Sequence, residues 1–183
     1  MPIRWTGNAE ADRLLEQDPL ALLIGLVLDQ QVRMEHALSG PYELKRRLGK
    51  LDAAAIAAMD PDQLDEAFRR RPALHRFPGT MARRVQALCE AVQREYGGDA
   101  ARVWTEAADG ADLGRRIRRL PGFGDQKARI LVSVLAKKFG VRPTGWEREA
   151  ASWHTLGDVD SAETMEEARR VKRQMKADAA AKG

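Results

Sequence analysis

The stretch LPGFGDQKARILVSVLAKKFG, residues 120–140, decides how the rest of the chain is read. Before it, DLGRRIRRL puts Leu113, Ile117 and Leu120 on one helical face and Arg115, Arg116, Arg118 and Arg119 on the remainder. Proline and two glycines then break the helix, because proline lacks an amide donor and glycine admits backbone angles closed to other residues. A second, mostly apolar helix is predicted from about Gly124 to Phe139, ending at Gly140. Two helices so joined form a hairpin with Phe123 tucked between them. The second helix then starts with free amides near Phe123, Gly124 and Gln126, and its dipole adds positive charge there. Such a start suits a phosphate oxygen without reading any base. Lys127 and the arginines would add sequence-independent attraction to a polyanion. The competing reading is a plain helix connection.

Outward from the hairpin, the chain reads as a series of helices. Asp18-Pro19 is a strong start for the apolar run 20–28, which ends near DQQV. Gly40-Pro41 is expected to open YELKRRLG, stopped by Gly49, and Asp52 and Asp60-Pro61 to open AAAIAAM and DQLDEAFRR. In PGTMARRVQALCEAVQREYGG, Met81, Val85, Leu88 and Val92 recur at helical spacing, closed by Gly97 or Gly98. AARVWTEA suggests a short helix. The pattern is lost over 141–160, where Trp146 and Trp153 are expected to anchor an irregular segment. The segment SAETMEEARRVKRQMKADAA is nearly all polar, so it either packs by a thin stripe or frays. The expected division is a domain over 1–160 followed by a charged helix or tail over 161–183.

Composition narrows the function. Aromatic residues make up 5% of the 183, and helix formers dominate, so the fold class is all-α. One cysteine, Cys89, allows neither an internal disulfide nor a cysteine-ligated cluster, and a reducing cytoplasm fits best. The N-terminal MPIRWTGNAEADRLL has no apolar core of signal-peptide length, and no apolar run approaches the ~20 residues of a membrane span. The expectation is a soluble cytoplasmic protein, nucleoid-associated if prokaryotic. A net charge of +4 is compatible with an acidic partner but does not establish one.

Three stretches together resemble a known family. LPGFGDQKARILVSVLAKKFG is similar to the helix-hairpin-helix of the DNA glycosylase superfamily that includes endonuclease III, the adenine glycosylase of mismatch repair and the alkyladenine glycosylases. LLIGLVLDQQVRMEHA resembles that superfamily's apolar helix followed by Gln-Gln, which implies that Gln30 and Gln31 enter the duplex near an extruded base. FPGTMARRVQAL lies where such proteins have a glycine-led loop and a helix with basic residues. The resemblance spans roughly residues 18–140. It implies a helical bundle of two lobes around a cleft and a duplex DNA partner. The DNA-binding candidates are Gly122, Phe123, Gly124, Gln126, Lys127, Gln30, Gln31, Arg76, Arg83 and Arg84.

The departures shape the expected chemistry. The place of the lysine nucleophile in endonuclease III-like members is Gln126, and the neighbouring Lys127 should point about 100° away round the helix. The resemblance therefore implies a monofunctional glycosylase without lyase activity. The superfamily places an aspartate after the hairpin helix. FGVRPTGWEREA has none, and Glu147 is nearest, with Glu149 behind it. Glu147 is either that carboxylate or a solvated helix-start residue. Asp29, beside Gln30, is the fallback, or else a helix-end cap or a partner of Arg33. The adenine glycosylase's glutamate falls on Leu26, and the cysteine cluster of several relatives is missing. No metal or cofactor is therefore expected, apart from a monovalent cation at the hairpin, and the chain is expected to act as a monomer. His36, His75 and His154 are expected in ordinary roles. In LHRFPG, His75, Arg76 or Phe77 could serve as a DNA wedge, with Phe77 in the core as the stronger expectation. The alternative function is a non-catalytic helix-hairpin-helix DNA-binding module. A third, a protein–protein adaptor, leaves the hairpin unexplained.

Overall fold

A computed structural model describes residues 2–183; Met1, the first residue of the N-terminal stretch, lies outside them. Among the described residues there are eleven α-helices and no strand. No helix there is long and apolar enough to cross a membrane.

The first lobe is built on α2 (Pro19–Leu28), with every residue from Leu20 to Leu28 buried. Asp18 starts it by accepting from the amides of Leu20 and Ala21. Ahead of it lies α1 (Ala9–Gln17), capped by Asn8, a helix the sequence patterns did not signal. The next helix, α3 (Met34–Leu48), corrects an expectation: it runs straight through Gly40-Pro41 instead of starting there. The reason is packing. Met34, Ala37, Leu38, Gly40, Pro41 and Leu44 form one buried face, and a Cβ at Gly40 would sit 2.4 Å from a Leu28 methyl. The glycine is there to let α2 and α3 approach, and that burial outweighs the hydrogen bond the proline removes. Two short helices, α4 (Ala53–Ala58) and α5 (Pro61–Arg69), pack on the long α6 (Pro78–Tyr96), which Gly97 ends at φ +62°. Buried Gln86 donates to the carbonyls of Ile56 and Met59, serving the open C-terminus of α4. Cys89 is buried in this lobe, its thiol pushed up to about 12 by desolvation, so it is no nucleophile.

The second lobe holds α7 (Arg102–Thr105), α8 (Gly110–Arg118), α9 (Asp125–Lys138), α10 (Trp146–Glu149), a 3-10 turn (Leu156–Asp158) and α11 (Ala162–Lys182). Helices α8 and α9 are the hairpin, and Leu113, Ile117, Leu120 and Phe123 are buried along its seam. The segment after α9 folds back on the hairpin. Gly110 N–H donates to the Thr144 carbonyl at 2.8 Å, and Glu149 lies against Gly114, where a Cβ would meet its carboxylate at 2.3 Å. The 3-10 turn lies on α9, with Gly157 against the Ser133 carbonyl. Helix α11 packs by a thin stripe, with Met165 and Ala168 buried. One continuous apolar core joins the two lobes.

Candidate nucleic-acid interface

The hairpin turn has two glycines with different duties. Gly122 adopts φ +90°, and a Cβ there would come within 3.0 Å of Val27, so the turn needs glycine both for its backbone and to seat on α2. Gly124 has an ordinary φ of −78°, is exposed, and faces open space. Nothing in the fold demands a glycine at 124. The start of α9 behind it has no side-chain cap, unlike α1, α2, α4, α5, α8 and α11. The amides of Asp125, Gln126 and Lys127 therefore have no acceptor within their helix. Phe123 differs from the expectation: its amide is taken by the Leu120 carbonyl at 3.1 Å and its ring is buried, so it shapes the turn and offers no free donor.

The charges around the hairpin are largely committed to one another. Arg118 reaches Asp125 at 2.9 Å and Glu149 at 2.8 Å, tying α8 to the first turn of α9 and to α10. Those two bonds hold its guanidinium firmly protonated. Arg116 and Arg115 pair with Asp112. Asp125, a carboxylate at the very place a phosphate would approach, is neutralised by Arg118 and Arg129, which lower its pKa. The expected cloud of arginines thus acts mainly as a strut, whereas Arg119, Arg83 and Arg76 stand exposed.

A cleft of about 660 Å³ opens beside the uncapped helix start, between the two lobes. One wall comes from Asp29, Gln30, Met34 and Arg84 of the first lobe. The facing wall comes from Gly122 and the first turns of α9, the segment Trp153, His154, Thr155 and Leu156, and Ala168, Val171, Lys172 and Met175 of α11. Gln30 is held by Arg84, whose guanidinium donates to its side-chain oxygen. Gln31, exposed, is the only described non-glycine residue with positive φ, at 57°. That left-handed turn costs about 1–2 kcal/mol for a residue with a Cβ, and it lies immediately after Gln30, which lines the cleft. His75 fixes the neighbouring loop: its Nε2 donates to the Leu28 carbonyl and its Nδ1 accepts from the Phe77 amide. Both contacts require a neutral ring, and burial lowers its pKa. Phe77, expected in the core, is instead the exposed large apolar side chain, 37% accessible, with the Arg76 guanidinium 5.3 Å from its ring centre.

The carboxylates sort differently from the expectation. Glu147 is exposed on α10 and does not line the cleft. The part of the post-hairpin segment that does return to the cleft is 153–156, which carries no acid. Asp29 and Asp125 are the carboxylates in the lining; Asp125 is bound by two arginines, whereas Asp29 has a single cationic partner. Its own partner is Lys172 of α11, at 2.5 Å. Lys127 also faces the cleft, beside Gln126, and makes no hydrogen bond or ion pair among the described residues. Desolvation, with Lys172 and Arg84 adding repulsion, lowers its pKa to about 8 against the pull of Asp29. No group of three or more His, Cys, Asp or Glu that could hold a metal ion occurs among the described residues.

The sequence patterns assign Lys127 to the phosphate clamp, Trp153 to an anchoring role and 161–183 to a charged helix or tail, but nothing in them points to Lys172 or to 153–156 as parts of a cleft wall. The family described as HhH-GPD superfamily base excision DNA repair protein matches residues 24–175, from within α2 to Met175 of α11. No curated protein and no solved structure matches the chain.

Proposed function

The chain belongs to the HhH-GPD superfamily of base excision DNA repair proteins, and from that premise we propose that it is a monofunctional DNA glycosylase with Asp29 as its carboxylate. The observation that carries this reading is the placement of Asp29 and Gln30 in one cleft of about 660 Å³ with the uncapped start of α9. The α9 amides take a backbone phosphate, and Gln30 and Gln31 enter the space left by the extruded nucleotide. The apolar side of the cleft, with Met34, Ile130 and Leu156, receives the base. As the glycosidic bond breaks, positive charge develops on the sugar, and a fixed carboxylate stabilises it before water adds at C1′. Gln126, at the place of the superfamily's lysine, supports hydrolysis without strand cleavage.

A panel of duplexes, each with one modified base, tests the proposal by scoring free base and strand breaks separately. Release of a base with the strand intact until alkali is expected. Binding without release from any duplex would leave a non-catalytic DNA-binding module. A second reading rests on Lys127, whose lowered pKa makes it a competent amine. It calls for a covalent adduct trapped by borohydride and lost in Lys127→Met, whereas the monofunctional reading calls for none.

A further inference from the structure

Helix α11 reaches the cleft with a polar side chain that has a definite partner. Lys172 Nζ lies 2.5 Å from Asp29 Oδ1, an interaction across 143 positions of sequence, and the Asp29 side chain is 12% exposed. One turn earlier, Arg169 pairs with Glu35 at the start of α3, so two ion pairs on one face tie α11 to the first lobe. Val171 and Met175, on the same side, line the cleft. Every charged group facing Lys127 can be named: Asp29 at the end of α2, Arg84 of α6, Asp125 in its own first turn, His154 of the returning segment, and Lys172. Asp125 is engaged by Arg118 and Arg129, and Arg84 by Gln30. Asp29 is the one acid left that could pair with Lys127, and Lys172 holds it.

We propose that Lys172 is a positioning residue of the cleft: by fixing the Asp29 carboxylate it leaves the Lys127 amine unpaired and turned to the substrate. The inference deepens the reading of the cleft as the active site and rests on it. Two ammonium groups and one carboxylate can share a small space in two ways. If Asp29 paired with Lys127, that amine would be occupied and closed to a flipped nucleotide. With Lys172 as the partner, the carboxylate is anchored from the far wall, and Lys127 keeps its hydrogen-bonding capacity for the ligand. The third ionic group thus comes from a segment whose polar sequence reads as a tail.

The test is a titration of free protein. Lysines are reductively methylated with ¹³C-formaldehyde, the Lys127 signal is assigned from Lys127→Arg, and its midpoint is followed by NMR. The wild-type midpoint should lie near 8. Lys172→Met should raise it by about one pH unit or more, as Asp29 turns to Lys127. Lys172→Arg, which keeps the pair, should stay close to wild type. In the Asp29→Asn background the effect of Lys172→Met should shrink, because the carboxylate through which it acts is gone. An unchanged midpoint in Lys172→Met overturns the proposal. So does an equal rise in the Asp29→Asn background, which would mean direct repulsion between the two lysines. The titration needs no DNA, so its failure is distinguishable from a failure to release any base.

Discussion

Replacing Lys127 by methionine should make the protein more stable at neutral pH. The ammonium sits in the cleft wall with no bonded partner among the described residues, and its pKa falls from an ordinary 10.5 to about 8. Read as a linkage free energy, that displacement is about 3 kcal/mol of unfavourable burial. The side chain is only partly buried and the cleft is open to water, so about half, roughly 1–2 kcal/mol, is the expected gain on removing the charge. Methionine has similar length and meets Ile130 and Met175 in the lining. The pH dependence has a definite sign. Below about pH 8 the amine is charged folded and unfolded, and the penalty is present in full. Between 8 and 10.5 the unfolded chain holds the proton that the folded chain has released, so wild type gains stability and the gap to Lys127→Met narrows. Urea unfolding of both proteins at pH 7 and pH 10 measures this. A variant less stable than wild type at pH 7, or a gap unchanged at pH 10, refutes the account of Lys127 as a group held at a cost.

Other perturbations separate fold from function in the same way. Gly124→Val faces open space at an ordinary φ, so it should cost no more than ~1 kcal/mol; by shielding the α9 amides it should weaken binding to every duplex alike. If the wild-type interface neutralises roughly three to five phosphates, its log–log salt slope should be about −2.7 to −4.5, and this variant's shallower by about 1. An unaltered slope would remove the phosphate site from α9. Gln31→Gly should leave stability level or raise it by up to ~1 kcal/mol, by relieving the left-handed turn, while lowering base release; loss of stability would show that the turn is not strained. The depressed pKa of His75 predicts that stability falls as pH drops below 6.5, since the unfolded chain takes up the proton first. His75→Gln should show less of that dependence in thermal melts between pH 7 and 5, and an identical slope would acquit the histidine.

The hairpin, the buried α2 and the capped helix starts were legible because each is a local matter. Asp18, Asp52 and Asp60 satisfy amides two or three residues away, and Leu113, Ile117 and Leu120 keep a period any window detects. Gly40-Pro41 misled because its meaning is a close approach to Leu28, which sequence spacing cannot express. The site was harder still. Alignment with the resembled family pointed to Glu147, but the irregular stretch after α9 spends Thr144 and Glu149 on packing against α8, and only at 153 does the chain return to the cleft. The Asp29–Lys172 pair joins residues 143 apart, and a polar helix gives no periodic sign of the partner it will find.

The central claim, that Asp29 promotes departure of a base flipped into the cleft, is tested most directly by single-turnover base release with wild type and Asp29→Asn on the best substrate of the panel. The account predicts a rate lower by about a hundredfold or more in the variant, with duplex affinity equal or higher because a negative group has been removed. A variant that releases base at the wild-type rate would contradict it.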